Sequence, residues 1–89
     1  MFYFYIVRCS DGSLYCGQTN NLMNRIIEHN SSKTRSAKYT KIRRPVKLEY
    51  SEEYSSLQEA MKREFQIKKW TKVKKEALIS MNLRLLKKL

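Results

Sequence analysis

Residues 2–30 read FYFYIVRCSDGSLYCGQTNNLMNRIIEHN, and this stretch decides the predicted fold. The aromatic and β-branched run over residues 2–9 predicts a strand. Ser10-Asp11-Gly12-Ser13 has the composition of a turn, and residues 14–18 predict the returning strand. The two strands therefore form a hairpin, and the remainder of the stretch predicts a helix.

The length of the hairpin loop determines which face each tyrosine occupies. A two-residue loop would put Tyr5 and Tyr15 on opposite faces, because side chains alternate along a strand. A three-residue loop, with Gly12 left-handed, pairs Tyr5 with Gly17 and puts both tyrosines on one face. We prefer this register because it separates the hydroxyl groups from the hydrocarbon side chains, with Phe4, Ile6, Leu14 and Cys16 on the core face. It predicts an exposed tyrosine face with open space beside Tyr5. Tyrosines buried with one solvated end are the alternative.

The first helix carries the next two polar candidates. Thr19-Asn20-Asn21 supplies N-cap residues. Arg25 and His29 are four residues apart and are therefore neighbours on the helix surface. Either both are solvated, with His29 near the negative helix end, or both turn toward the tyrosines. The predicted apolar positions of this helix are Leu22, Met23, Ile26 and Ile27.

The charge predicts a polyanionic partner. The 89 residues suit one domain, and 19 Lys and Arg against 8 Asp and Glu give a net charge of +11. Nucleic acid is the first candidate partner and an anionic membrane surface the second. Seven of the positive charges lie between residues 31 and 47 without an acid, which predicts a basic loop along a phosphate backbone. The predicted nucleic-acid contacts are Lys33, Arg35, Lys38, Tyr39, Lys41, Arg43, Arg44, Lys68 and Lys69.

The two cysteines and the N-terminus bear on location. Cys9 and Cys16 fall in predicted strands, and no residues stand beside them at a zinc-binding spacing. Buried free thiols fit a reducing cytoplasm. The apolar run at the N-terminus ends at Arg8, too early for a secretory signal or a membrane span. We therefore expect a cytoplasmic protein that does not enter the membrane.

The second half predicts one more strand and a helix with an unusual acid. Residues 46–51 alternate in polarity and predict an edge strand. Ser56 and Glu59 form a capping box that starts a helix. Glu64 falls near the centre of its apolar stripe, where an acid needs a partner or a metal. An ion pair with Lys68 or with Arg25 is the competing explanation. The predicted apolar positions are Leu57, Ala60, Met61, Phe65 and Ile67.

The C-terminal segment predicts a last helix. Thr71 is the predicted N-cap, and Ala77, Leu78 and Met81 are the predicted apolar positions. We expect one domain over residues 1–80 and a basic helical extension over residues 81–89.

Together these motifs resemble the GIY-YIG nuclease domain, and most closely its small stand-alone bacterial members. Tyr3-Phe4-Tyr5 and Tyr15-Cys16-Gly17 correspond to the two signature triplets. Tyr3 replaces the first glycine, and Cys16 the central residue of the second triplet. The segment Asn24–Asn30 matches the arginine and histidine positions at Arg25 and His29. Arg63–Phe65 matches the segment with the metal-binding glutamate, Glu64. The resemblance covers about residues 2 to 80.

The resemblance implies an α/β fold: a three-stranded antiparallel sheet flanked by helices in the order β-β-α-β-α-α. It implies a DNA endonuclease, assumed monomeric, with one Mg²⁺ or Mn²⁺ on Glu64. Tyr5 would be the general base, and His29 would hydrogen-bond Tyr5 or relay a proton. Tyr15 would orient the water or the phosphate, and Arg25 would bind the scissile phosphate. The alternative is a non-catalytic nucleic-acid-binding module that retains the nuclease fold.

Overall fold

The computed structural model describes residues 1–31 and 38–81. Three strands form one antiparallel sheet in the order β2-β1-β3, namely β1 (Phe2–Arg8), β2 (Leu14–Thr19) and β3 (Lys47–Tyr54). The helices are α1 (Leu22–Asn30), α2 (Lys38–Lys41), α3 (Leu57–Lys68) and α4 (Lys72–Ile79). The predicted sheet and the predicted order of its elements are confirmed. Two details differ, because β3 runs on past residue 51 and the predicted basic loop contains the short helix α2.

The hairpin adopts the three-residue loop. Tyr5 pairs with Gly17 and Val7 with Tyr15, as predicted. The Gly12 amide donates to the Cys9 carbonyl at 2.9 Å, which closes the turn. Gly12 has φ +84°, a left-handed conformation that glycine adopts without a steric penalty. This turn puts both tyrosines on one face of the sheet.

Each face of the sheet packs against different helices. The cluster on one face is formed by strand residues with α3 and α4 and contains Phe4, Ile6, Cys16, Ile67 and Leu78. The cluster on the other face contains Tyr5, Val7, Cys9 and Val46, against which Leu22 and Ile26 of α1 pack. Tyr5 is therefore only 1% exposed, and the prediction of an exposed tyrosine face is wrong at this residue.

The helix α3 begins at its predicted cap, but the face that it turns toward the sheet is narrower than predicted. Ser56 accepts the Glu59 amide at 3.2 Å and caps α3. Ala60 and Ile67 are its buried apolar residues. The other predicted apolar positions of α3 are exposed, with Leu57 at 38%, Met61 at 50% and Phe65 at 66%. The small Ala60 side chain lets that face of α3 approach the sheet, and the larger residues are left outside.

The same correction applies to α1, since it packs through Leu22 and Ile26. Met23 and Ile27 are 74% and 62% exposed, although both were predicted to be apolar contacts. Residues three or four positions apart share a helix face, so the Leu22–Ile26 face turns the adjacent Met23 and Ile27 outward.

A network around Glu52 fixes the rotation of α3. Glu52 accepts hydrogen bonds from the hydroxyls of Tyr50 and Tyr54, each at 2.6 Å. Arg63 of α3 donates to both carboxylate oxygens, at 2.8 and 3.0 Å. Burial raises the pKa of Glu52, but these donors outweigh it and hold the pKa below its usual value. The Arg63 flank of α3 therefore faces β3.

The end of α4 departs from the prediction. Thr71 caps this helix by accepting the Lys74 amide at 3.2 Å. The helix ends at Ile79, and Met81, predicted to lie on it, follows with φ +57°. From residue 82 onward, the predicted basic extension lies outside the described residues.

Two further expectations concern the cysteines and the membrane. Cys9 and Cys16 are both buried free thiols, and burial raises the pKa of each. Among the helices that the structure describes, none has the length and apolar character needed to cross a bilayer.

Candidate nuclease site

A buried chain of three hydroxyl and imidazole groups links β1, α1 and α2. The Tyr5 hydroxyl lies 2.8 Å from His29 Nε2. His29 Nδ1 lies 2.8 Å from the Thr40 hydroxyl. His29 and Thr40 are fully buried, so the alternative of a solvated His29 is wrong. Burial, helped by the nearby Arg25 charge, lowers the pKa of His29 to about 4. The ring is therefore neutral at pH 7, with one donor and one acceptor nitrogen.

Arg25 lies at the partly exposed end of this chain. Its Nε donates to the Tyr5 oxygen at 3.4 Å, and its Nη1 donates to Glu28 at 3.2 Å. Burial raises the pKa of Tyr5 to about 12, because it outweighs the opposing effect of Arg25. Tyr5 is thus protonated at pH 7. Arg25 is the group through which the buried chain can act on a bound anion.

Gly17 makes room for the Tyr5 ring. A Cβ atom at position 17 would overlap the phenol oxygen and the neighbouring ring carbon of Tyr5. The predicted open space beside Tyr5 is therefore filled by the phenol itself. A side chain at position 17 would push the hydroxyl away from His29.

Tyr15 is held between other rings and cations. Its ring meets His29 edge-on, with centroids 5.5 Å apart, and stacks on Tyr39 at 5.8 Å. The guanidinium of Arg43 lies 4.0 Å from the centroid of Tyr39, and Lys68 Nζ lies 5.8 Å from that of Tyr15. Tyr39 was predicted to contact nucleic acid; in the structure it covers Tyr15.

Glu64 approaches the tyrosines from α3. Its carboxylate pairs with Lys68 at 3.3 Å, which confirms one of the predicted alternatives. The helix α3 packs against both strands of the hairpin, and the negative charge of Glu64 contributes to raising the pKa of Tyr5 and of Cys16. Lys68 follows one turn later and reaches the Tyr15 ring. The helix α3 packs through Ile67 on the opposite face of the sheet, so Lys68 reaches Tyr15 past the edge strand β2.

The predicted nucleic-acid contacts have different surroundings. Arg43 is held in place, since it donates to Asp11 at 3.1 Å and to the Tyr39 carbonyl at 3.0 Å. Arg44 is half-buried. The predicted contacts with exposed side chains are Lys38, Lys41, Lys68 and Lys69. The predicted contacts Lys33 and Arg35 lie outside the described residues.

The donor groups suit one kind of metal site. Residues 1–31 and 38–81 contain no group of three or more His, Cys, Asp or Glu side chains that could hold a metal. Mg²⁺ is often bound by one or two carboxylates, with waters and substrate phosphate completing its shell. Glu64 fits that role as the acid of this site. The described residues do not supply enough ligands to surround a metal ion with protein side chains alone.

Two residues of the site were not predicted from the sequence. Thr40 lies in the segment interpreted as a basic loop, and no pattern there marks it as the His29 partner. Glu28 is an ion-pair partner of Arg25 at the i,i+3 spacing. That spacing is a signal for a helical pair and would have identified Glu28.

Comparison with known proteins relates this geometry to a family. The family model of the GIY-YIG catalytic domain matches residues 1–77. The UPF0213 protein SSP2268 of Staphylococcus saprophyticus is 53% identical over 78 residues, covering 88% of this chain and 93% of that protein. A UPF0213 protein of Bacillus pumilus is 51% identical over 77 residues, covering 86% of this chain and 76% of that protein.

A solved structure is similar along most of the chain. The solution NMR structure of the UPF0213 protein BH0048 from Bacillus halodurans has a TM-score of 0.57 and 41% identity. The match covers 91% of this chain and 85% of that one.

Proposed function

This chain belongs to the GIY-YIG family, and on that premise we propose that it is a metal-dependent endonuclease acting on DNA. The observation that carries the proposal is the meeting of Tyr5, Arg25 and His29 in one hydrogen-bonded group. The net charge of +11 supports a polyanionic substrate.

Arg25 and Tyr15 are proposed to hold the scissile phosphate. Both are partly exposed at the edge of the buried chain. A guanidinium binds phosphate oxygens through paired N–H donors and offsets the charge that develops during attack. The Tyr15 hydroxyl would orient the attacking water or the phosphate. Because its ring is packed between His29 and Tyr39, few conformations are open to it.

Tyr5 and His29 are proposed to remove the proton of the attacking water. Tyr5 has a pKa of about 12, so a free phenolate is scarce at pH 7. Instead, the Tyr5 oxygen would take the water proton while its own hydroxyl proton passes to His29 Nε2. This direction requires His29 Nδ1–H to donate to Thr40. The pKa of His29 is about 4 in the free protein, and the negative charge of a bound phosphate would raise it. The water oxygen then bonds to phosphorus, and the bond to the leaving oxygen breaks as that oxygen takes a proton from solvent water. The proton on His29 returns to Tyr5, whose own hydroxyl proton passes to solvent, which restores both groups.

The substrate must first uncover Tyr5. Tyr5 is 1% exposed, and Arg25 is the partly exposed group in contact with its hydroxyl. The Arg25–Tyr5 hydrogen bond is long at 3.4 Å, which supports its exchange for a bond to phosphate. As Arg25 turns toward the phosphate, the Tyr5 oxygen becomes accessible to water.

Glu64 would hold the divalent ion, Mg²⁺ or Mn²⁺, which supplies positive charge against the phosphate when bound. Lys68 must then release the carboxylate. Its ammonium is available to a phosphate oxygen once it does so.

The proposed cellular setting is the cytoplasm. The buried free thiols Cys9 and Cys16 support a reducing compartment. The protein is proposed to bind DNA as a monomer.

One assay tests the activity. Purified protein is incubated with labelled single-stranded, double-stranded and branched DNA, and with matched RNA, in Mg²⁺ or Mn²⁺. Cleavage is expected to be lost in Glu64→Ala and Arg25→Ala, with the fold intact by circular dichroism. Glu59→Gln, on the exposed side of the same helix as Glu64, is the control. Unchanged nicking by Glu64→Ala would defeat the proposal.

The second candidate is a non-catalytic nucleic-acid-binding module. The Lys68 pairing of Glu64 and the burial of Tyr5 favour it, since both restrain the groups that hydrolysis would use. Such a module would bind with a steep dependence on salt and would cleave nothing in any divalent metal.

A further inference from the structure

An apolar stripe runs along the exposed side of α3. Leu57, Met61 and Phe65 stand at successive four-residue intervals and are therefore neighbours on the helix surface. They are 38%, 50% and 66% exposed, although the chain is strongly basic. Contiguous exposed apolar side chains in such a protein indicate a binding surface. We call these three residues the α3 stripe.

The α3 stripe borders the candidate nuclease site. At 100° per residue, Glu64 lies between the sheet-facing residues Ala60 and Ile67 and the stripe. Arg63 lies on the opposite flank, where it binds Glu52 of β3. The sheet order is β2-β1-β3, so the Glu64 flank faces the β2 edge. The stripe therefore adjoins Glu64 on the surface of α3 and turns away from the sheet.

The charges around the stripe favour an anionic partner over an apolar protein groove. The Lys69 ammonium lies 4.0 Å from the centroid of the Phe65 ring. Lys62 and Lys68, on the same helix, are also exposed. An exposed ring with an ammonium over one of its faces offers a nucleotide two contacts at once. The ring stacks on the base, and the ammonium pairs with the phosphate.

We propose, on the basis of the nuclease activity proposed above, that the α3 stripe binds unpaired bases next to the scissile phosphate. Phe65 stacks on one base, Met61 and Leu57 continue the apolar track, and Lys69 pairs with the phosphate between bases. The bases of a duplex are stacked on one another, and its outer surface is phosphate, which an apolar stripe does not bind. The substrate class is therefore nucleic acid with a single-stranded segment.

Binding can be measured separately from cleavage. The Glu64→Gln protein is titrated with a single-stranded oligonucleotide containing 2-aminopurine and with a blunt duplex of the same sequence, at one salt concentration. Adding Phe65→Ala is expected to weaken single-strand binding about tenfold, the size expected for a lost base–aromatic stack. The effect on duplex binding is expected to be under about twofold. Quenching of 2-aminopurine should disappear with the ring.

Matched variants separate stacking from general effects. Phe65→Trp restores single-strand binding, while Phe65→Leu restores only part of it. Val73→Ala is the control, because Val73 is 58% exposed on α4 and lies outside the stripe. Unfolding in urea verifies that each variant folds. We expect the Phe65 variants to fold, because the Phe65 side chain is 66% exposed and contributes little to the core.

Several outcomes overturn the proposal. The first is unchanged single-strand binding in Phe65→Ala, and the second is equal weakening of single-strand and duplex binding. The third is dissociation of an oligomer by Phe65→Ala in light scattering, which would make the stripe a protein interface. These outcomes are independent of the nuclease activity. Wild-type cleavage with no effect of Phe65→Ala leaves the activity standing and ends the stripe proposal. Selective single-strand binding that depends on Phe65, without any cleavage, supports the stripe as a binding surface and contradicts the nuclease activity.

Discussion

The Tyr5 hydroxyl and His29 Nε2 lie 2.8 Å apart inside the protein, although 24 positions separate the two residues along the chain. Tyr5 comes from the central strand and His29 from the last turn of α1. Because both are buried, neither group can exchange its partner for water without local opening. The Tyr5–His29 hydrogen bond therefore joins the central strand to α1 at the middle of the candidate site.

Tyr5→Phe should lower activity and stability together. The ring stays in place, but His29 Nε2 loses its partner in a buried site, which destabilises by about 1–3 kcal/mol. Cleavage should fall by about a hundredfold or more, the range for a lost general base. Urea unfolding and a nicking assay measure the two effects. Tyr3→Phe, two residues earlier on the same face of β1, is the control, and equal behaviour of the two variants would contradict the prediction.

Protonation of His29 should make folding stability depend on pH. Its pKa is about 4 in the folded protein and 6.5 in the unfolded chain, so the unfolded chain binds more protons between these values. The contribution of neutral His29 to the free energy of unfolding is complete above pH 6.5. It is lost as pH falls toward 4, and the free energy of unfolding decreases by roughly 3 kcal/mol in all. His29→Gln should flatten this part of the profile in urea unfolding. Parallel profiles for the two proteins would show that His29 is not the titrating group.

Gly17→Ala should disrupt the site, whereas Gly12→Ala should affect stability alone. A Cβ at position 17 would overlap the Tyr5 phenol, so the hydroxyl must leave His29 and cleavage should be lost. At position 12 no atom obstructs a Cβ, but φ +84° strains alanine by about 1–2 kcal/mol. Activity and unfolding measured on both variants separate the two effects. Full activity in Gly17→Ala would mean that the Tyr5 position is not needed.

Lys68→Gln should tighten metal binding. The Lys68 ammonium competes for the Glu64 carboxylate at 3.3 Å, so its removal should lower the Mn²⁺ dissociation constant severalfold. Stability should change by less than about 1 kcal/mol, since exposed ion pairs contribute little. Binding is followed by electron paramagnetic resonance of free Mn²⁺. Lys62→Gln removes the same charge elsewhere on α3 and should have a smaller effect, and unchanged Mn²⁺ binding in Glu64→Gln would remove Glu64 from the metal site.

The local structure of this chain could be predicted from its sequence. Gly12 fixed the hairpin register, because only a left-handed residue closes the three-residue loop without strain. Asn21, Ser56 and Thr71 marked the helix starts, because their side chains accept the amides that a helix leaves free. These signals lie within a few residues of the structure that they produce.

The site required contacts that no local pattern encodes. Periodicity selected Leu57, Met61 and Phe65 as buried, yet the approach of Ala60 and Ile67 to the sheet turned those three residues outward.

By itself, the sequence determined the strands, the turn, the starts of α1, α3 and α4, and the residue types available for chemistry, because those depend on neighbouring residues. Tertiary structure alone decided that Tyr5 is buried, that Thr40 holds His29 and that Glu64 pairs with Lys68. These outcomes depend on how each helix rotates against the sheet. Packing between distant segments sets that rotation.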